Sequence, residues 1–409
     1  MSDCAALAGS TSRPAAVLGR RASLIVSALV VAHTLWTSAA PAIAYRLYAQ
    51  EWHLSHATTT GIFAIYPLTV VLTLILFGGL SDQIGRRAVI LLGLSASLAG
   101  AVIFALAPDV AWLFAARAAM GLGVGLTAGP STAAVVEFSK PEASSARRAA
   151  LVTTVAQAGG FSAALLLGGA LAQYAPWPTR LTFWVLAALL SALFAAAWFL
   201  PRTAPAASGW QPRLPQVPSG VRLPFAVASL AMMTAYTHGV LILSLGGQVA
   251  HDLIGSSNQL VNGAVLAIFA LISGLFAIVG RVFAARLAMA LGALASTTGM
   301  GLVAVAVIFH NLPIFLLATG TAGAGYSLLF LSALDVINRA TRDAERAGVI
   351  SAVYLLAYLS LGGTAIALGI VANIHGLAVA VNLGTAVIAA LSLITLALAM
   401  KPLQEPTRR

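Results

Sequence analysis

Apolar runs of about 20 residues recur along the whole chain with almost no charge inside them, and nothing constrains its fold more. Hydrocarbon supplies no water to backbone N–H and C=O groups, so runs of this length must close their own hydrogen bonds as helices. A membrane β-barrel would instead alternate polar and apolar residues in strands of about 10. Here the runs are continuous and rich in Ala, Leu and Gly. Hydropathy places twelve spans at about 22–45, 59–79, 88–107, 110–137, 148–173, 179–200, 223–247, 260–280, 286–309, 313–337, 347–372 and 378–400. The supply of apolar residues matches that number: 60% of 409 residues are hydrophobic and only 8% charged. A soluble domain is roughly 25% charged. A soluble enzyme, a disordered chain and a nucleic-acid binder are therefore excluded.

The net charge of +11 maps the topology. With the N-terminus on the cytoplasmic side, about 19 of the 22 basic residues fall in cytoplasmic segments. Arg46 and Arg180 remain outside, and Arg117 alone lies within a span. Both termini are thus expected to be cytoplasmic, in a bacterial-type inner membrane. Arg20-Arg21, an apolar run and Ala-Pro-Ala-Ile-Ala at 40–44 have the outline of a signal peptide. The run is long for one, and span 1 is read as uncleaved. The lone cysteine, Cys4, forms no internal disulfide.

The Pro-rich segment 201–222 divides the chain into six-span halves, 1–200 and 223–409. Weak repetition relates them: Gly121 and Gly123 match Gly323 and Gly325, Gly159-Gly160 match Gly362-Gly363, and Arg86 matches Arg286. Repeats of this kind place a substrate site between the halves, near the bilayer midplane.

Two motifs carry chemistry. The connection after span 2 reads Gly78-Gly79-Leu80-Ser81-Asp82-Gln83-Ile84-Gly85-Arg86-Arg87. Gly78 and Gly85 permit a tight turn, and Asp82 needs a partner that Arg86 supplies locally. Span 4 contains Arg117, Gly121, Gly123 and Gly125. The glycines alternate and thin the helix on two sides for close packing. Arg117 lies roughly 10 Å below the outer surface, where an arginine either faces the bundle interior or snorkels outward.

These elements resemble the major facilitator superfamily signatures G-x-L-[AS]-D-[RQ]-x-G-R-[RK] and R-x-x-x-G-x-G-x-G, and the resemblance covers essentially the whole chain. It implies an all-α membrane fold of two pseudo-symmetric six-helix bundles. It also implies a conformational latch built on Gly78, Asp82, Gly85, Arg86 and Arg87, with Asp82 docking against span 11. For Arg117 it implies a part in proton coupling. Many proton-driven exporters of this family carry an acid in span 1; here there is His33 instead, with Tyr236 and His238 at similar depth in span 7. Two histidines facing one cavity titrate near neutral pH or simply hydrogen-bond within the bundle. The span-5 glycine–proline element of drug/proton antiporters is degraded. Gly160, Gly168 and Gly169 are present, but Ala164 and Leu165 stand where Gly and Pro would be.

Trp36, Tyr66, Gln157, Tyr236, Tyr326, Tyr354 and Tyr358 are candidates to line the cavity. Glu137 has Lys140 nearby, Asp335 has Arg339, and both acids read as interfacial. His53, His56, His251 and Asp252 read as solvated outer loops: the i, i+3 histidine spacing would suit a metal on a helix, but cysteine and clustered acids are lacking. No metalloprotease, serine-hydrolase or P-loop motif occurs, so neither an enzyme nor a cofactor is expected. The expectation is a monomeric secondary transporter working by alternating access. It would export a small amphipathic or weakly polar molecule against entering protons. The alternatives are proton-coupled uptake of a small organic acid and, more distantly, a non-transporting sensor.

Overall fold

The computed structural model describes residues 17–139, 145–202 and 217–400. Arg13, Lys140, Arg213, Lys401, Arg408 and Arg409, with most of the 201–222 linker, lie outside the described residues. Eleven helices among the described residues are long and apolar enough to cross a membrane, and Leu181–Ala197 is a shorter apolar helix in the sixth position. Twelve helices follow in chain order. The first six are α1 (Arg20–Glu51), α2 (His56–Phe77), α3 (Arg86–Leu106), α4 (Val110–Phe138), α5 (Ser145–Tyr174) and α6 (Leu181–Ala197). The second six are α7 (Arg222–Gly239), α8 (Gln259–Val279), α9 (Ala285–Phe309), α10 (Leu312–Ala340), α11 (Asp343–His375) and α12 (Leu377–Met400). Helix α1 starts and helix α12 ends at one end of the bundle, the end that carries the termini; the opposite end is the far end.

Local chemistry sets the helix starts. At the far end the side chains of Ser55, Asp109, Asn258 and Asn311 accept from the first-turn N–H groups of α2, α4, α8 and α10. These groups have no intrahelical partner and need one in a membrane. Asp109 is thereby a cap. Helix α1 breaks between Ala39 and Pro41, where proline has no N–H to give to the preceding turn. Helix α7 continues through the apolar wide turn Val240–Ser244 and, past its apolar stretch, through a second at Val249–Leu253. The expected span 7 stopped at 247. The extra turns carry His251 and Asp252 in helix, so these two residues are not in a loop.

Packing depends on close backbone approach, because lipid provides no hydrophobic drive between helices. A Cβ on Gly160 would lie 2.1 Å from the Ala32 carbonyl oxygen of α1, and one on Gly323 would lie 2.5 Å from the Phe269 carbonyl oxygen of α8. Replacing Gly160 by Leu is therefore expected to force α5 off α1. The cost is about 3 kcal/mol, read as a lower midpoint of thermal unfolding in detergent. An unchanged midpoint would contradict this packing.

Candidate transport site

The first six helices meet the last six in two long strips, α5 along α8 and α2 along α11. At the far end the contact is polar. Arg46 of α1, only 5% exposed, reaches Asp252 on the far extension of α7 at 3.6 Å. His251 Nδ1 hydrogen-bonds the same carboxylate at 2.7 Å. His56 of α2 donates to Gln248 at 2.6 Å, and Gln248 donates on to Thr59 at 3.4 Å. The Gln259 N–H donates to Gln173 of α5 at 2.7 Å. Small residues let the strips close: a Cβ on Gly369 of α11 would lie 2.9 Å from the Thr60 Cβ of α2. His56 and Asp252, expected to be solvated, are joined to the opposite half of the bundle, and His251 bonds Asp252. The signal that sequence reading missed was the pairing of unlike charges, Arg46 and Asp252, at corresponding ends of spans 1 and 7.

Deeper in, Tyr236, Tyr326, Phe330, Tyr354 and Tyr358 from α7, α10 and α11 form one aromatic cluster. Tyr236 and Tyr358 are edge to face with centroids 4.9 Å apart, a favoured aromatic geometry. All five are half-buried, and no charged side chain stands among them. Trp36 and Gln157 are also half-buried, on α1 and α5. Tyr66 is buried, lies under Arg117 and is within electrostatic reach of Tyr358.

Arg117 is fully buried in the first six-helix group, so its guanidinium faces inward and does not snorkel. It stacks 4.3 Å from the Tyr66 ring centroid, with Phe63 at 5.8 Å and Tyr45 at 6.0 Å. Its Nη1 donates to the Ser38 carbonyl at 3.4 Å, beside the break that Pro41 makes in α1. Around it, Gly123 faces α3 at Gly93 and Ser97, while Gly121 and Gly125 face α2 at Tyr66, Thr69 and Thr73.

The two histidines do not meet across one cavity. His33 is buried on α1, with Nδ1 on the Val30 carbonyl at 2.5 Å and Nε2 3.4 Å from the Ser97 hydroxyl of α3. His238 is fully buried on α7, with Nδ1 on the Thr234 carbonyl at 2.9 Å and its ring 6.4 Å from Phe269. Helix phase turns His33 toward α3 and away from the opposite half.

At the end that carries the termini, Asp82 is exposed in the short helix Leu80–Ile84, and Gly85 makes the turn with φ 85°. Arg86 pairs with Glu137 of α4. The expected neighbour of Glu137, Lys140, lies outside the described residues. Arg87 donates to the Leu200 carbonyl at 3.3 Å and sits 5.5 Å over the Trp198 ring, tying α3 to the end of α6. Asp335 pairs with Arg339 one turn on, at 3.0 Å.

Twelve membrane-crossing helices, drawn together at one end and bordering an aromatic wall deeper in, define a multi-pass membrane transport protein. The chain belongs to the major facilitator superfamily, whose sequence profile, described as "Major Facilitator Superfamily", matches residues 25–288. It is 29% identical over 136 residues to "Multidrug efflux pump LfrA" of Mycolicibacterium smegmatis, covering 33% of this chain and 27% of the relative. It is 30% identical over 145 residues to "Major facilitator superfamily multidrug transporter mfsC" of Aspergillus fumigatus, covering 35% of this chain and 27% of the relative. The match thus spans about a quarter of the length of these curated relatives. The fold is similar to that of the nucleoside transporter NupG, with TM-score 0.71, 14% identity, and 94% and 99% of the two chains covered. It is also similar to that of a peptide transporter POT in complex with sulfate, with TM-score 0.74, 16% identity, and 92% and 93% covered.

Proposed function

We propose that this transporter exports a small amphipathic or weakly polar organic molecule in exchange for protons. The observation that carries the reading is the uncharged wall of Tyr236, Tyr326, Phe330, Tyr354 and Tyr358. Ring faces and hydroxyls take up flat, partly polar molecules without demanding a charge. The names of the two efflux relatives point the same way. With the termini in the cytoplasm of a bacterial-type inner membrane, the far end faces out and is shut, and substrate enters from inside. Residues 1–200 and 223–409 then rock as two bodies, with the Asp82–Arg87 turn as the latch. His238 is the candidate proton carrier: its Nε2 is buried without a partner, and Phe269 connects it to Tyr326 at 5.5 Å.

The test is flux of an amphipathic fluorescent dye in proteoliposomes, with and without an imposed pH gradient. The gradient is expected to drive dye movement opposite to protons, and His238→Gln to remove the gradient-driven component. Flux indifferent to both gradient and protonophore would end the proton reading. Movement of dye with the protons would favour uptake.

A further inference from the structure

We propose that Arg117 holds a small monovalent anion, a halide or a carboxylate, inside the first six-helix group. The side chain is 0% exposed, and its Nε and Nη2 have no hydrogen-bond partner. The single bond it makes, from Nη1 to the Ser38 carbonyl, is long at 3.4 Å. A guanidinium does not shed its proton in a protein, so the charge stays. Aromatic faces at 4.3 to 6.0 Å soften it without supplying an acceptor for the two free N–H edges.

Among the described residues no counter-charge stands beside it. On its own helix Asp109 and Glu137 lie about 12 and 30 Å away along the axis. Asp109 caps the start of α4, and Glu137 pairs with Arg86. Among the described residues no Asp or Glu lies in the middle of a span. On α1 the guanidinium meets Ser38 and Tyr45, neither of them acidic. Arg46, 5% exposed, has Asp252 as its own partner.

A third donor completes the site. The Tyr45 hydroxyl is buried with no partner, on the ring that flanks the guanidinium. Two guanidinium edges and a phenol hydroxyl are thus buried among rings with donors left unused. Water would satisfy the N–H groups and leave the charge uncompensated in a low-dielectric interior. One net positive charge and few donors select a monovalent ion over sulfate or phosphate. The site does not depend on the direction of transport or on the coupling ion.

The experiment is thermal unfolding of the purified full-length protein at constant ionic strength. Sodium gluconate, too bulky for the pocket, is replaced stepwise by sodium chloride, sodium bromide or sodium acetate. The expected result is a rise in Tm that grows with the logarithm of anion concentration above Kd. Arg117→Gln is expected to abolish the dependence, and Tyr45→Phe, which keeps the arginine, to shift it to higher concentration. Chloride and bromide acting without acetate identify a resident halide. Acetate acting more strongly identifies the place of a carboxylate carried by substrate. A Tm indifferent to all three anions, or the same response in Tyr45→Phe and wild type, overturns the site even where Arg117→Gln fails to fold.

Discussion

A Thr60→Cys/Gly369→Cys variant, made in a Cys4→Ser background, is expected to lose transport on oxidation and to recover it with reductant. The two positions face each other across α2 and α11 at the far end, with Cβ atoms 2.9 Å apart once one is built on Gly369. A disulfide needs about 3.5–4.5 Å between Cβ atoms, so a parting of about half an ångström admits it. The bond would hold shut an end that alternating access must open, and an enclosed site reachable from one side only cannot turn over. Cys4 is the single native cysteine, so its replacement leaves the engineered pair as the only thiols. Full transport by the oxidised, demonstrably cross-linked protein would show that the α2–α11 contact does not move in the cycle.

The second large effect is expected from reversing the far-end ion pair. Asp252→Arg sets a second positive charge against the buried Arg46, where the native pair is 3.6 Å apart. Unit charges at that separation interact by about 1 kcal/mol in water and about 4 kcal/mol at an effective dielectric of 20. Asp252 is 43% exposed, so the interaction falls between these limits. Reversing its sign disfavours closure by about 3 kcal/mol, roughly a hundredfold in the open-to-closed ratio. Transport is expected to fall accordingly, with labelling from outside of a cysteine introduced at the far end rising in step. The exchanged pair, Arg46→Asp with Asp252→Arg, restores attraction and should recover much of the rate. If the double variant is as poor as the single one, the pair acts through something other than its mutual charge.

Much of the fold was legible because membrane spans obey a one-dimensional rule. Length and hydropathy locate them without knowledge of neighbours, and all twelve helices occupy the expected stretches. Spans 1 and 7 are the exceptions in length, running on to Glu51 and Leu253. Their far extensions carry Arg46, His251 and Asp252, which hydropathy scores as loop. The signature motifs were also legible, since glycine spacing and buried arginine are local features. The partners of those residues were not. Arg86 pairs with Glu137 of α4, a partner outside the motif. Sequence separation of 51 residues hides a contact that helix packing makes direct.

The opening feature, long apolar runs with scarcely any charge, by itself determined twelve membrane-crossing helices, because unsatisfied backbone in hydrocarbon leaves no other choice. The scarcity of charge also singled out Arg117 and the two histidines. Only the tertiary structure decided where they point. Helix phase turned His33 to Ser97 and sealed Arg117 among rings. The joining of the two halves converted His56, His251 and Asp252 from apparent loop residues into the far-end closure. Rotation about a helix axis and contact between distant spans are set by packing of the whole bundle, and no single span records them.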